Sequence, residues 1–80
     1  MIYLDTSVIV AALTNEVATD KAQRFLAAQA PEDLAISEWV ATEFSSALSI
    51  KLRGGALTLE ERAAVLAMFT RLSAQSWTVL

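Results

Sequence analysis

Three short apolar segments, each separated from the next by helix-forming stretches, constrain the fold of this chain more than any other feature. They are Ile2 to Leu4, Leu34 to Ile36 and Trp77 to Leu80. The only proline, Pro31, and the pair Gly54-Gly55 divide the chain into blocks of a strand with its helices. Strands that alternate with helices predict a parallel sheet with right-handed crossovers and helices on its faces. We therefore predict a single α/β domain over residues 1–80.

The stretches between the strands carry the signals of helix starts, ends and buried faces. The predicted helices run from Thr6 to Leu13, from Ala18 to Gln29, and from Ser37, as the N-cap, to Leu52. Thr58-Leu59-Glu60-Glu61 fits a capping box at the start of a last helix. The second helix should bury Ala22, Phe25 and Leu26, and the last should bury Val65, Met68, Phe69 and Leu72. With Val40, Phe44 and Leu48 of the third helix, the last helix should pack on Leu4 and Ile36.

The composition removes most kinds of catalytic chemistry. The 80 residues include no Cys and no His, which excludes disulfides, thiolate nucleophiles, Cys/His zinc sites and imidazole bases. Carboxylates that bind a hard cation such as Mg²⁺ remain, because that ion needs only oxygen ligands. A net charge of −3 means that contact with nucleic acid requires a local basic patch or a bound metal. No apolar run is long enough to span a membrane and the N-terminus does not resemble a signal peptide, so we expect a cytoplasmic domain.

Asp5 stands where the first strand passes into the first helix. In an open parallel α/β sheet, ligands bind outside the carboxyl ends of the strands, so a carboxylate at this junction is a candidate for chemistry. The alternative is that Asp5 only caps the helix, with its side chain accepting a hydrogen bond from a free backbone N–H.

Glu43 is the second unusual acid. At about 100° per residue, Trp39, Val40, Ala47 and Ile50 lie within about 60° of Glu43 on the predicted helix, which puts this acid inside an apolar stripe. A buried acid is costly unless it is paired, protonated or bound to a cation. A buried salt bridge to an arginine on a neighbouring helix is therefore the structural alternative. Lys51 also falls near this stripe and is expected to extend its ammonium group to water.

Adjacent strands would bring Asp5 and Glu43 together on one side of the sheet. Two carboxylates that face one pocket repel each other, and a divalent cation relieves that repulsion. A bound cation can lower the pKa of a water molecule and stabilise charge on a phosphodiester without His or Cys. A metal site formed by Asp5 and Glu43 follows as a hypothesis.

Two stretches carry a resemblance to a known family: Met1-Ile2-Tyr3-Leu4-Asp5-Thr6-Ser7, and Ser37 to Phe44 with Glu43 six residues after Ser37. They resemble the PIN-domain family, and in particular VapC-type toxins. The resemblance implies metal-binding and catalytic roles for Asp5 and Glu43. In that resemblance Asp5 is the first acidic ligand, Thr6 is the catalytic-site hydroxyl beside Asp5, and Glu43 is the second acid of the pocket. It also implies Mg²⁺- or Mn²⁺-dependent cleavage of RNA and inhibition by a cognate antitoxin protein.

The resemblance also implies further acidic ligands after the third strand, and no residue of this chain supplies them. We therefore expect the N-terminal part of a PIN-like domain, truncated after its third strand, with an incomplete site that cleaves RNA poorly by itself. An uncovered apolar edge strand should also lead to self-association, so a homo-oligomer is expected.

Two other functions remain open. The first is a non-catalytic PIN remnant that binds an antitoxin or another copy of itself through its apolar surfaces. The second is phosphoryl transfer with Asp5 as the nucleophile, as in haloacid-dehalogenase-like enzymes. Those enzymes have an Asp-x-Asp motif, and here Ser7 stands in the place of the second Asp.

Overall fold

The computed structural model describes residues Met1–Leu80 and has a three-stranded parallel sheet flanked by four α-helices. In chain order the elements are β1 (Ile2–Tyr3), α1 (Thr6–Leu13), α2 (Thr19–Ala27), a 3-10 turn (Pro31–Asp33), β2 (Leu34–Ile36), α3 (Trp39–Arg53), α4 (Leu59–Gln75) and β3 (Thr78–Val79). The α/β class and all three strands are as predicted from the sequence. No helix here has both the length and the apolar character that crossing a membrane requires.

The strands lie in the order β1-β2-β3, so β2 is central. Tyr3 pairs with Ala35, and Ala35 pairs in turn with Thr78. All three β2 residues are buried, which is typical of the central strand of a parallel sheet. Since the strands are parallel, the segments that follow each of them leave the sheet at the same edge, and this positions the candidate site.

Two helix ends follow the local sequence signals closely. The Thr58 hydroxyl accepts from the Glu61 N–H at 3.1 Å, while the Glu61 carboxylate accepts from the Thr58 N–H at 2.9 Å, so the predicted capping box is formed. Helix α3 ends at Gly54, and Gly55 has φ +81°, a left-handed conformation that glycine adopts without steric cost.

The start of α3 differs from the prediction. Ser37 is not the N-cap of α3: the cap is Glu38, and the Ser37 carbonyl, not its hydroxyl, accepts a bond from the Val40 N–H.

A single hydrophobic core lies between the helices and the sheet. The Phe44 and Phe69 rings stack with centroids 4.5 Å apart, and Trp77 meets Phe69 edge-on at 6.3 Å. Seven of the residues predicted for the core on β1, β2, α3 and α4 are buried, and Leu72 is partly buried at its margin. The seven are Leu4, Ile36, Val40, Phe44, Leu48, Val65 and Phe69. The core thus joins α3 and α4 to β1 and β2.

The predicted helix faces need two corrections. Helix α2 has no buried residue, and Phe25 is 42% exposed although it was predicted to be buried. Met68 of α4 is also exposed. Each of these residues is apolar and spaced correctly for a buried stripe, but periodicity does not reveal how wide a helix face the rest of the protein covers. In α2 and α4 the face that the rest of the protein covers is narrower than the apolar stripe.

Candidate functional site

Asp5 caps α1 directly after β1. Its backbone is extended, and its Oδ2 accepts a hydrogen bond from the Ser7 N–H at 3.3 Å and another from the Ser7 hydroxyl. These bonds, with the hydroxyl contributing more, hold the pKa of Asp5 below its ordinary value, because they stabilise the carboxylate. Its other oxygen, Oδ1, accepts no hydrogen bond from the protein. Asp5 is therefore a helix cap and also an exposed carboxylate with one free oxygen.

Glu43 of α3 lies against the start of α1. The Thr6 hydroxyl donates to Glu43 Oε1 at 3.1 Å, across 37 residues of sequence. This contact forms because β1 and β2 are parallel neighbours, so that α1 and α3 both begin at the carboxyl edge of the sheet. The structure therefore brings Glu43 to the residue that follows Asp5. Their metal-binding and catalytic roles stay predictions.

The prediction that Glu43 lies in a buried stripe is wrong. Glu43 is exposed, and so are Trp39 at 71% and Ile50 at 62%. The buried stripe of α3 is instead Val40, Phe44 and Leu48, spaced by four residues and about 100° away from Glu43. The sheet and α4 cover this buried stripe. Glu43 lies on the neighbouring face of α3, which is exposed to solvent beside α1.

No arginine pairs with Glu43, so the buried salt bridge considered as its alternative is not formed. Arg62 of α4 reaches α3 but donates to the hydroxyls of Ser45 and Ser49, at 3.2 and 3.0 Å. The protein's one ion pair joins Lys51 to Glu16 at 2.6 Å, which corrects the expectation that Lys51 only extends to water. Glu43 thus has a hydroxyl neighbour and no cationic one.

The side chains present fit a hard divalent cation that keeps most of its water ligands. Asp5 and Glu43 supply carboxylate oxygens, the ligand type that Mg²⁺ prefers, and Mg²⁺ is often bound through only one or two carboxylates. No group of three or more acidic residues lies close enough together to enclose an ion. Any ion held here would therefore depend on Asp5, Glu43 and water.

A cleft of about 460 Å³ opens beside this edge, between α1 and α2. Ser7 lines it and also bonds to Asp5, so the cleft and the acidic edge share a residue. Its other lining residues are Val8, Ala11, Glu16, Ala18, Lys21, Ala22 and Phe25. Ser7 and this cleft were not predicted as parts of the site. A serine two residues after an aspartate does indicate a hydroxyl or N–H bond back to that carboxylate, and this signal was available in the sequence.

Comparisons with known proteins identify the family. No curated protein and no solved structure matches the chain. The model of the PIN domain matches residues 2–78, nearly the whole chain. The PIN domain is a nuclease-type fold, and PIN domains generally use divalent metal ions. The chain belongs to the PIN domain family.

Proposed function

We propose that this chain carries the acidic edge of a metal-dependent ribonuclease of the VapC toxin type. The observation that carries the proposal is the hydrogen bond from Thr6 to Glu43, which joins the two acidic motifs at the carboxyl edge of the sheet. Membership of a nuclease-type family supports the same function. The chain has neither Cys nor His, and carboxylates that bind a divalent cation can support cleavage of a phosphodiester without them.

Each of the three residues has a distinct role in this proposal. Asp5 stays ionised because Ser7 stabilises its carboxylate, and Oδ1, which Ser7 does not occupy, would serve as the ligand oxygen. Thr6 fixes the orientation of Glu43 by donating to one of its two carboxylate oxygens, which leaves the other free. A divalent cation bound by Asp5 and Glu43 would lower the pKa of a bound water and neutralise charge on the scissile phosphate.

Manganese binding tests the site directly. We expect Mn²⁺ to broaden the backbone NMR signals of Asp5, Thr6 and Glu43, with weak affinity because only two carboxylates contribute charge. Asp5→Ala should abolish this local broadening. Glu32→Gln, an exposed acid at the opposite edge of the sheet, is the matched control and should leave it unchanged. Broadening that is absent, or that survives Asp5→Ala, would contradict the site.

The role of Thr6 is separable from that of the two acids. Thr6→Ser keeps the hydroxyl and should retain Mn²⁺ broadening, whereas Thr6→Val removes the donor at similar volume and should weaken it. Equal Mn²⁺ broadening in the two variants would show that the hydrogen bond from Thr6 to Glu43 does not orient a metal ligand.

Cleavage of a structured RNA tests the activity. We expect slow cleavage by this chain that needs Mg²⁺ or Mn²⁺, stops with chelator and is lost in Asp5→Ala. A loosely held ion orients the phosphate poorly, which is why the rate should be low. Cleavage that persists in chelator, or in Asp5→Ala, would count against a metal-dependent ribonuclease. In this proposal a cognate antitoxin protein inhibits the activity by covering the acidic edge.

The second candidate function is a non-catalytic module that binds an antitoxin or another copy of the chain. Two observations favour it: the acidic edge has only two carboxylates, and large apolar side chains such as Tyr3 and Trp39 are exposed. A chain that binds no Mn²⁺ at Asp5 but associates with itself through these side chains would support this function over the ribonuclease.

A further inference from the structure

The cleft between α1 and α2 adjoins the acidic edge through one side chain. The Ser7 hydroxyl donates to Asp5, and Ser7 also lines the cleft. A molecule that occupied the cleft would therefore lie next to the carboxylate that the proposed ribonuclease uses. The volume of about 460 Å³ falls within the range of pockets for small organic groups, about 300 to 1,000 Å³.

The charges around the cleft suit an anionic ligand with an apolar or aromatic portion. Glu16, the only acid in the lining, is neutralised by its ion pair with Lys51. Lys21 is exposed and pairs with no carboxylate. Phe25 lies one helical turn beyond Lys21 on α2, on the same side of the helix, and its ring is partly exposed. The lining thus offers an ammonium group next to an aromatic ring.

Polar contacts hold the two walls of the cleft in place. Gln23 of α2 donates to the Ala12 carbonyl of α1 at 2.8 Å. The Thr19 hydroxyl contacts the carbonyls of Ala11 and Thr14 at 2.7 and 2.9 Å and accepts from the Glu16 N–H at 2.8 Å. Helix α2 is therefore fixed to α1 although it buries no side chain completely. A cleft whose walls are already held loses less conformational entropy on binding.

We propose that this cleft is a nucleoside subsite for single-stranded RNA, in which a base stacks on Phe25 and an adjoining phosphate contacts Lys21. This inference rests on the proposed function. It adds the place where the chain holds the RNA nucleotide next to the cleavage site. Aromatic rings stack with any base, and lysine contacts the backbone phosphate without sequence information. RNA is favoured over a protein helix because the cleft carries an unpaired ammonium group beside an aromatic ring and adjoins the acidic edge.

The test compares two labelled oligonucleotides by fluorescence anisotropy in excess chelator, so that no cleavage occurs. One is a uridine hexanucleotide, and the other is an abasic hexanucleotide with the same phosphates. The wild-type chain should bind the uridine oligonucleotide about 5- to 140-fold more tightly, the contribution expected of stacking by one base. Phe25→Leu should remove most of this preference, and Phe25→Tyr, which keeps the ring, should retain it. Phe25 is partly exposed, so neither substitution should unfold the chain.

Lys21 is tested through the phosphates. Lys21→Gln should weaken binding of both oligonucleotides by the same factor and reduce the slope of log affinity against log salt by about 0.7. Arg71→Gln, an exposed cation on α4 that does not line the cleft, is the matched control and should change neither quantity.

The outcomes separate this inference from the ribonuclease itself. A base preference unchanged in Phe25→Leu, or a wild-type chain that binds neither oligonucleotide, would overturn the subsite, and the Mn²⁺ experiment on Asp5 would still stand. If Phe25→Leu instead converted an oligomer to a monomer in sedimentation without changing RNA affinity, the cleft would be a protein interface and the proposal would be wrong.

Discussion

At the scale of single residues, Asp5 combines a structural and a chemical role. Its Oδ2 caps α1 through Ser7, while its Oδ1 stays free. The sequence presented these roles as alternatives, but a carboxylate has two oxygens and can serve both. The same division occurs at Glu43, where Thr6 occupies one oxygen only.

Ser7→Ala should raise the pKa of Asp5 toward its ordinary value, because the hydroxyl is the largest cause of the lowering. A lowered folded-state pKa stabilises the fold above the unfolded-state pKa, and this stabilisation is lost as the pH falls through the folded-state pKa. The variant should therefore lose less stability than the wild type on acidification below the ordinary range of an aspartate. Carboxyl ¹³C NMR titration of Asp5 measures the shift. Ser46→Ala, an exposed serine of α3, should leave the titration unchanged.

At the scale of elements, the helices are held in two different ways. Helices α3 and α4 pack through aromatic side chains, as the stacked Phe44 and Phe69 show. Helix α2 is attached to α1 through the polar side chains Thr19 and Gln23. Helix α4 has in addition a capping box that satisfies backbone groups at its start.

Thr58→Ala should lower the free energy of unfolding by about 0.5 to 2 kcal/mol, because it removes the side-chain acceptor for the Glu61 N–H. Thr58→Ser keeps the hydroxyl and should have little effect. Urea denaturation measures the change as a shifted midpoint with an unchanged slope. Equal midpoints for Thr58→Ala and the wild type would mean that the capping box contributes nothing to stability.

At the scale of the whole molecule, one core supports a small fold with an incompletely covered sheet. Leu4 is buried, while its neighbour Tyr3, which points to the opposite side of the strand, is 68% exposed. Strand β1 is also an edge of the sheet, since it pairs only with β2. Stability and self-association are therefore properties to be tested on the molecule as a whole.

Phe44→Ala should cost about 3 to 5 kcal/mol, which is enough to unfold a domain of this size. Phe69→Ala should have a similar effect, because the two rings stack in the core. Trp39→Ala removes an exposed aromatic side chain from the same helix as Phe44 and should change stability little. Thermal unfolding of the three variants distinguishes the two faces of α3. A larger decrease in unfolding temperature for Trp39→Ala than for Phe44→Ala would reverse the assignment of the buried and exposed faces of α3.

Tyr3→Lys should reduce self-association, because a lysine on an edge strand opposes pairing with another chain. Sedimentation velocity over a range of concentrations measures the association of the variant and the wild type. Arg53→Lys, an exposed conservative change on α3, is the control. A wild-type chain that stays monomeric at all concentrations would contradict the expected homo-oligomer.

The sequence by itself determined the features that depend on neighbouring residues. The strand and helix order, the Thr58 capping box and the end of α3 at the glycines could all be predicted, because their causes lie within a few residues of one another. The core around Phe44 and Phe69 was also predictable, since a large apolar side chain at helical spacing is usually buried. The motif residues Asp5, Thr6 and Glu43 were recognisable because the two short stretches that contain them resemble motifs of the PIN-domain family.

Only the tertiary structure decided which side of each helix faces solvent. Apolar periodicity predicted that Glu43 has buried neighbours. In the structure the buried stripe of α3 is instead centred on Phe44, and Glu43 is exposed beside Thr6. Likewise, the ion pair of Lys51 with Glu16 depends on residues far apart in sequence. An amphipathic pattern limits a helix's rotation to a broad arc, and the sheet and neighbouring helices select the angle within it. The rotation of α3 about its axis places Glu43 at the carboxyl edge of the sheet, where Asp5 also lies.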